Sequence, residues 1–148
     1  NTGKIMAHYL PQNVTASGMF HVISLNSDED AKILTLWYNS IIHMFLFLFR
    51  GREIQGGYYR ALISDLKKLP VINSPNLDSN TRKKLLATFE KYKNKEPPPF
   101  PRQIEDGFKK EMDLVLLEAL GASNPEKLLS VLYKNVYNKI EKLRTEST

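Results

Sequence analysis

The hydrophobic pattern changes period along the chain, and each change predicts a different element. Residues 19–25, Met-Phe-His-Val-Ile-Ser-Leu, are a short aromatic and β-branched run and read as a strand. Ser27-Asp28-Glu29-Asp30 reads as a helix start, because Ser27 can cap and the three acids suit the positive end of a helix. From Ala31 to Phe49 apolar residues are nearly continuous. A membrane span needs about 20 such residues. This run is shorter and holds Asn39, Ser40 and His43, so it predicts a helix over residues 28–49, buried against a sheet with its Phe45 to Phe49 end enclosed.

Beyond it the pattern fragments. Residues 50–57, Arg-Gly-Arg-Glu-Ile-Gln-Gly-Gly, predict a loop, since glycines supply backbone angles that other residues avoid. Residues 58–62 read as a strand, residues 64–68 as a helical turn ended before Pro70, and Val71-Ile72 as a second short strand. Residues 80–92 predict a basic helix with Leu85, Leu86 and Phe89 at helical spacing. Residues 94–101 contain Pro97, Pro98, Pro99 and Pro101 and predict a stiff, extended linker. Two helices follow. The first runs over about residues 103–120 and stops at Gly121; the second starts near Asn124-Pro125, with Leu129, Leu132, Val136, Ile140 and Leu143 on one face.

Composition narrows the class. The 148 residues suffice to bury a core without staples, and 42% hydrophobic with 25% charged residues matches an ordinary globular protein. There are no cysteines, which excludes a disulfide scaffold, a thiolate metal site and a cysteine nucleophile. The absence of a signal-like apolar run after Lys4 leads to the expectation of a cytoplasmic protein with no membrane partner. The start at Asn1 without Met suggests a piece of a longer chain. The net charge of +5 is uneven: residues 61–103 hold 9 basic and 4 acidic side chains, whereas residues 104–148 hold 7 and 8. A basic middle favours a polyanion, although a solvated lysine-rich helix face gives the same count.

Catalytic chemistry is sparse. His8, His21 and His43 lack metal-ligand spacing, and no metal site is expected. Gly51 and Gly56 have the glycine spacing of a phosphate-binding loop, but Gly57 and Tyr58 stand where it needs Lys and Ser or Thr. Asn13-Val14-Thr15 matches a glycosylation sequon by chance-level spacing alone.

Two stretches together resemble a family. Residues 31–40, Ala-Lys-Ile-Leu-Thr-Leu-Trp-Tyr-Asn-Ser, and residues 56–71, from Gly56-Gly57-Tyr58-Tyr59 to Leu69-Pro70-Val71, resemble the target-recognition region of gamma-class adenine DNA methyltransferases, and more loosely type I specificity subunits. The segments around Lys110 to Gly121 and Leu132-Tyr133 resemble the helical ending of such proteins. The resemblance implies an α+β fold: a small mixed β recognition core over residues 1–93 carrying the long buried helix, a proline-rich linker over 94–101, and a helical C-terminal appendage over 102–148. It implies sequence-specific binding of double-stranded DNA for a parent enzyme. Arg50, Arg52, Gln55, Gly56, Gly57, Tyr58, Tyr59 and Arg60 are the expected DNA contacts, since they combine phosphate-binding cations, base-edge donors and glycines that allow close approach.

No catalytic residue is expected in the chain itself. Adenine methyltransferases hold the target amine with Asn, Asp or Ser before Pro-Pro and an aromatic. Pro97-Pro98-Pro99-Phe100 fails at its first position, since Pro97 has no side-chain acceptor. No cofactor is therefore expected here; S-adenosylmethionine belongs to the parent's separate catalytic domain, the other expected partner. Asn39, Ser40 and Trp37 read as structural, the polar pair bonding to nearby backbone. The rival reading is a protein-interaction module that docks a partner subunit through its C-terminal helices.

Overall fold

The computed structural model describes residues 6–10, 21–50, 53–54, 58–59, 63–99 and 102–146. Among these, the regular structure is helical: α1 (Asp28–Tyr38), α2 (Ile41–Arg50), α3 (Ile63–Leu66), α4 (Ser79–Tyr92), α5 (Gly107–Ala119) and α6 (Pro125–Glu146), with two short 3-10 turns. The strands β1 (Glu53–Ile54) and β2 (Tyr58–Tyr59) form one antiparallel ladder of two residues each, Glu53 opposite Tyr59 and Ile54 opposite Tyr58.

The expected α+β fold with a mixed β core is thereby overturned. Residues 21–25 have no regular structure and are exposed, and residues 19–20 lie outside the described residues. Val71 and Ile72 are likewise irregular, Ile72 buried and Val71 exposed. Tyr58 and Tyr59 pair only with the short partner strand. The physical reason is competition for apolar surface. Short β-prone runs need neighbouring strands and a covered face. The four longest helices and α2 bury their apolar faces on one another instead. The C-terminal helices expected as an appendage pack into the same core: α5 packs on α4, and α6 on both α2 and α5. Ile33 of α1, Ile41 of α2, Leu85 of α4, Leu116 of α5, and Leu129 and Val136 of α6 are its fully enclosed centre.

The single long helix expected over 28–49 is two helices bent by 63° at Asn39-Ser40. Local chemistry accounts for the break. Ser40 Oγ donates to the Trp37 carbonyl (2.7 Å) and accepts from the His43 N–H (3.1 Å), which makes it an N-cap inside the apolar run. The Ile41 N–H donates to Asp113 Oδ1 (2.9 Å) on α5. Asn39 exchanges two bonds with the Ala7 backbone (2.9 and 2.8 Å) and pins the N-terminal segment. The polar pair does bond to nearby backbone, and the consequence is a corner. The far end of α2 is less enclosed than expected: Phe45 is half-buried, and Phe49, stacked on it at 4.5 Å, is exposed.

The remaining helix ends follow their cap residues. Ser27 accepts from the Asp30 N–H at the start of α1, Asp78 from Asn80 and Thr81 at the start of α4, and Asp106 from Phe108 and Lys109 at the start of α5. Gly121 closes α5 with a φ of 77°. The Ala122 N–H donates to the Leu117 carbonyl (3.1 Å) and the Gly121 N–H to that of Glu118 (2.9 Å), the paired bonds of a Schellman cap. Asn124 then accepts from the Lys127 N–H, and Pro125 opens α6. Among the described residues no single helix is long and apolar enough to cross a membrane.

Candidate functional site

The expected DNA contacts cluster around the ladder between α2 and α3. Arg50 ends α2 and is exposed. Tyr58 and Tyr59 form β2. Arg52, Gln55, Gly56, Gly57 and Arg60 lie outside the described residues. The register of the ladder brings positions 53–54 alongside 58–59. After α3, Lys67 and Lys68 are both exposed.

Electrostatics separate this region from the basic helix α4. Arg82 reaches Glu29 and Asp30 of α1 (both 3.1 Å) and the Ser74 carbonyl (2.7 Å). Lys84 pairs with Glu118, and Lys91 with Glu111 (2.7 Å), both across to α5. Lys93 pairs with Glu90 (2.6 Å), which also meets Lys32 of α1. Most of the cationic excess along α4 is therefore matched by carboxylates and serves helix packing. Arg50, Lys67 and Lys68 make no ion pair among the described residues.

A buried polar cluster on α5 was not legible as a site. Asp113 of α5 is fully buried and accepts four hydrogen bonds from three groups: the Ile41 N–H, the Lys109 ammonium at both oxygens (2.8 and 2.7 Å), and the Tyr133 hydroxyl (2.8 Å). Burial pushes the Lys109 ammonium below its usual range, against the pull of Asp113. Burial, then the Asp113 charge, pushes the Tyr133 phenol up. The sequence signal was available: Lys109 and Asp113 are four apart and share a helix face with Met112 and Leu116, where solvated charges do not belong. With all three side chains enclosed, the cluster joins the corner of α1–α2 to α5 and α6.

A cleft of about 640 Å³ lies beside it, between residues 6–9, the end of α4 and the start of α5. Two aromatic pairs line it: Tyr9 edge-on to Phe89 at 5.5 Å, and Tyr92 tilted on Phe108 at 5.3 Å. Pro97 lines its rim, and the buried Gln103 amide donates to the Pro98 carbonyl (2.8 Å), so part of the proline segment packs onto the bundle. Among the described residues no group of three or more His, Asp or Glu could hold a metal ion. Comparison with known proteins finds no matching family model, no matching curated protein and no matching solved structure.

Proposed function

We propose that this chain is a double-stranded DNA-binding module whose reader is the ribbon between α2 and α3. The observation that carries the reading is the antiparallel pairing of Glu53–Ile54 with Tyr58–Tyr59, directly after the exposed Arg50. A two-stranded ribbon fits the DNA major groove, and flanking cations meet phosphates. In the sequence Arg52, Gln55 and Arg60 adjoin the paired residues, and Lys67 and Lys68, which make no ion pair among the described residues, follow them. The further step, that the module serves a cytoplasmic adenine methyltransferase whose S-adenosylmethionine site lies in a separate catalytic domain, rests on the sequence resemblance alone.

Fluorescence anisotropy with a short labelled duplex at several salt concentrations tests the proposal. Binding should weaken linearly in log–log salt plots, and Arg50→Ala should reduce the slope by about one unit. Salt-independent binding, or none at low salt, would count against it.

A specific observation favours the rival class. Leu128 and Val131 are three apart on α6 and exposed at 41% and 48%, an apolar patch that suits a partner protein. Leu128→Glu with Val131→Glu should abolish such an association and leave the fold intact, as read by analytical ultracentrifugation of the chain with its candidate subunit.

A further inference from the structure

We propose that the pocket between the start of α5 and the middle of α6 binds a small phosphate monoester carried on an apolar body. The inference uses none of the ribbon residues and stands apart from the DNA-binding reading. The pocket has a volume of about 440 Å³, within the usual range for small-molecule sites. Ile104, Leu129 and Tyr133 give it apolar surface, and Lys110 of α5 and Lys134 of α6 are its charged lining.

The charge pattern is what distinguishes it. Elsewhere on the bundle, lysines at helix contacts face carboxylates: Lys84 faces Glu118, Lys91 faces Glu111, and Lys32 faces Asp28 and Glu90. No acidic residue lines this pocket. Lys134 has Ser130, Val131, Tyr137 and Asn138 at the helical positions where a compensating acid would stand. Lys110 has Asp106 and Asp113 at those positions, and both are engaged elsewhere. Asp106 caps α5, and Asp113 is buried against Lys109 and Tyr133.

Lysines from two helices thus line one pocket that no acidic residue lines. Like charges brought together in this way favour a bound anion, and two of them match the charge of a phosphate monoester. The apolar lining requires more than inorganic phosphate. Burying a ring or short alkyl group there adds hydrophobic contact that a bare ion lacks. The volume suits one ring with its phosphate.

Titration calorimetry of the whole chain with phenyl phosphate tests the site, with inorganic phosphate and phenol as separate arms. Phenyl phosphate should bind saturably, about tenfold or more tighter than either arm. Lys134→Ala should weaken it about tenfold, and Lys110→Ala with Lys134→Ala should remove it. Both lysines are exposed, so the variants should keep the parent's melting temperature. Absence of saturable binding, unchanged binding by the double variant, or equal binding of inorganic phosphate would overturn the proposal.

Discussion

His43 should make this protein lose stability on mild acidification, well before its carboxylates titrate. The side chain lies on α2 at 3% exposure, its Nδ1 has no hydrogen-bond partner among the described residues, and its ring meets Tyr38 edge-on at 4.7 Å. Burial lowers its pKa from 6.5 to about 4. A folded-state pKa below the unfolded value means that the unfolded chain takes up the proton first. The neutral ring's contribution is therefore complete above about pH 6.5 and is lost as pH falls toward about 4. The full shift corresponds to about 3 kcal/mol, of which about 2 kcal/mol falls between about pH 7 and pH 5. Asp28, Asp78, Glu90 and Glu111 also have lowered pKa values, held down by hydrogen bonds to Tyr9, Thr81, Lys93 and Lys91 respectively. Their stabilisation is lost only at lower pH. Urea unfolding at a series of pH values measures the effect, and the only tryptophan, Trp37, is buried enough to report it by fluorescence. His43→Leu should flatten the pH dependence in that window. A flat wild-type profile from about pH 7 to pH 5, or an unchanged slope in His43→Leu, would refute the assignment of this histidine as a buried neutral group.

Four further outcomes follow from the same structure. Asp113→Ala should cost about 3–5 kcal/mol in denaturant melts, because it leaves the Lys109 charge buried and the Ile41 N–H and Tyr133 hydroxyl unpaired; a loss below about 1 kcal/mol would mean that water takes its place. Gly121→Ala should cost about 1–2 kcal/mol through backbone strain alone, as a Cβ there meets open space at a φ of 77°; a neutral melt would show that the cap can rearrange. Changing Arg50, Arg52 and Arg60 together to Ala should weaken all duplexes alike, whereas Gln55→Ala should cost about 1–3 kcal/mol at one base position, as read by binding to a panel of duplexes. S-adenosylmethionine should give no saturable calorimetric isotherm with this chain, and micromolar binding would place a donor site here after all.

What the sequence made legible follows from the range over which each signal acts. Helix ends were readable because a cap is a contact between near neighbours. Ser27, Gly121 and Pro125 perform the roles expected of them within a few residues of their own positions, whereas the caps Asp78 and Asp106 were not read, and α5 starts at Gly107 rather than near Gln103. The strands were readable only in part: Tyr58-Tyr59 does pair, but a β-prone run becomes a strand only if another segment pairs with it. Val22, Ile23 and Leu25 have the right side chains and remain exposed without a sheet. The corner at Asn39-Ser40 lies between these cases. Two polar residues in an apolar run signal a structural role, but only Asp113, 72 positions away, and Ala7, 32 positions away, turn that role into a bend. The same distance dependence governs charge. Counting residues 61–103 gives a basic segment, whereas the fold brings Glu29, Asp30, Glu111 and Glu118 onto α4 from elements on either side in sequence. The charge left for a polyanion is thus not the sequence excess but what remains after these pairings. Among the described residues, that remainder moves attention from α4 to the end of α2, to Lys67-Lys68 and to the Lys110–Lys134 pocket.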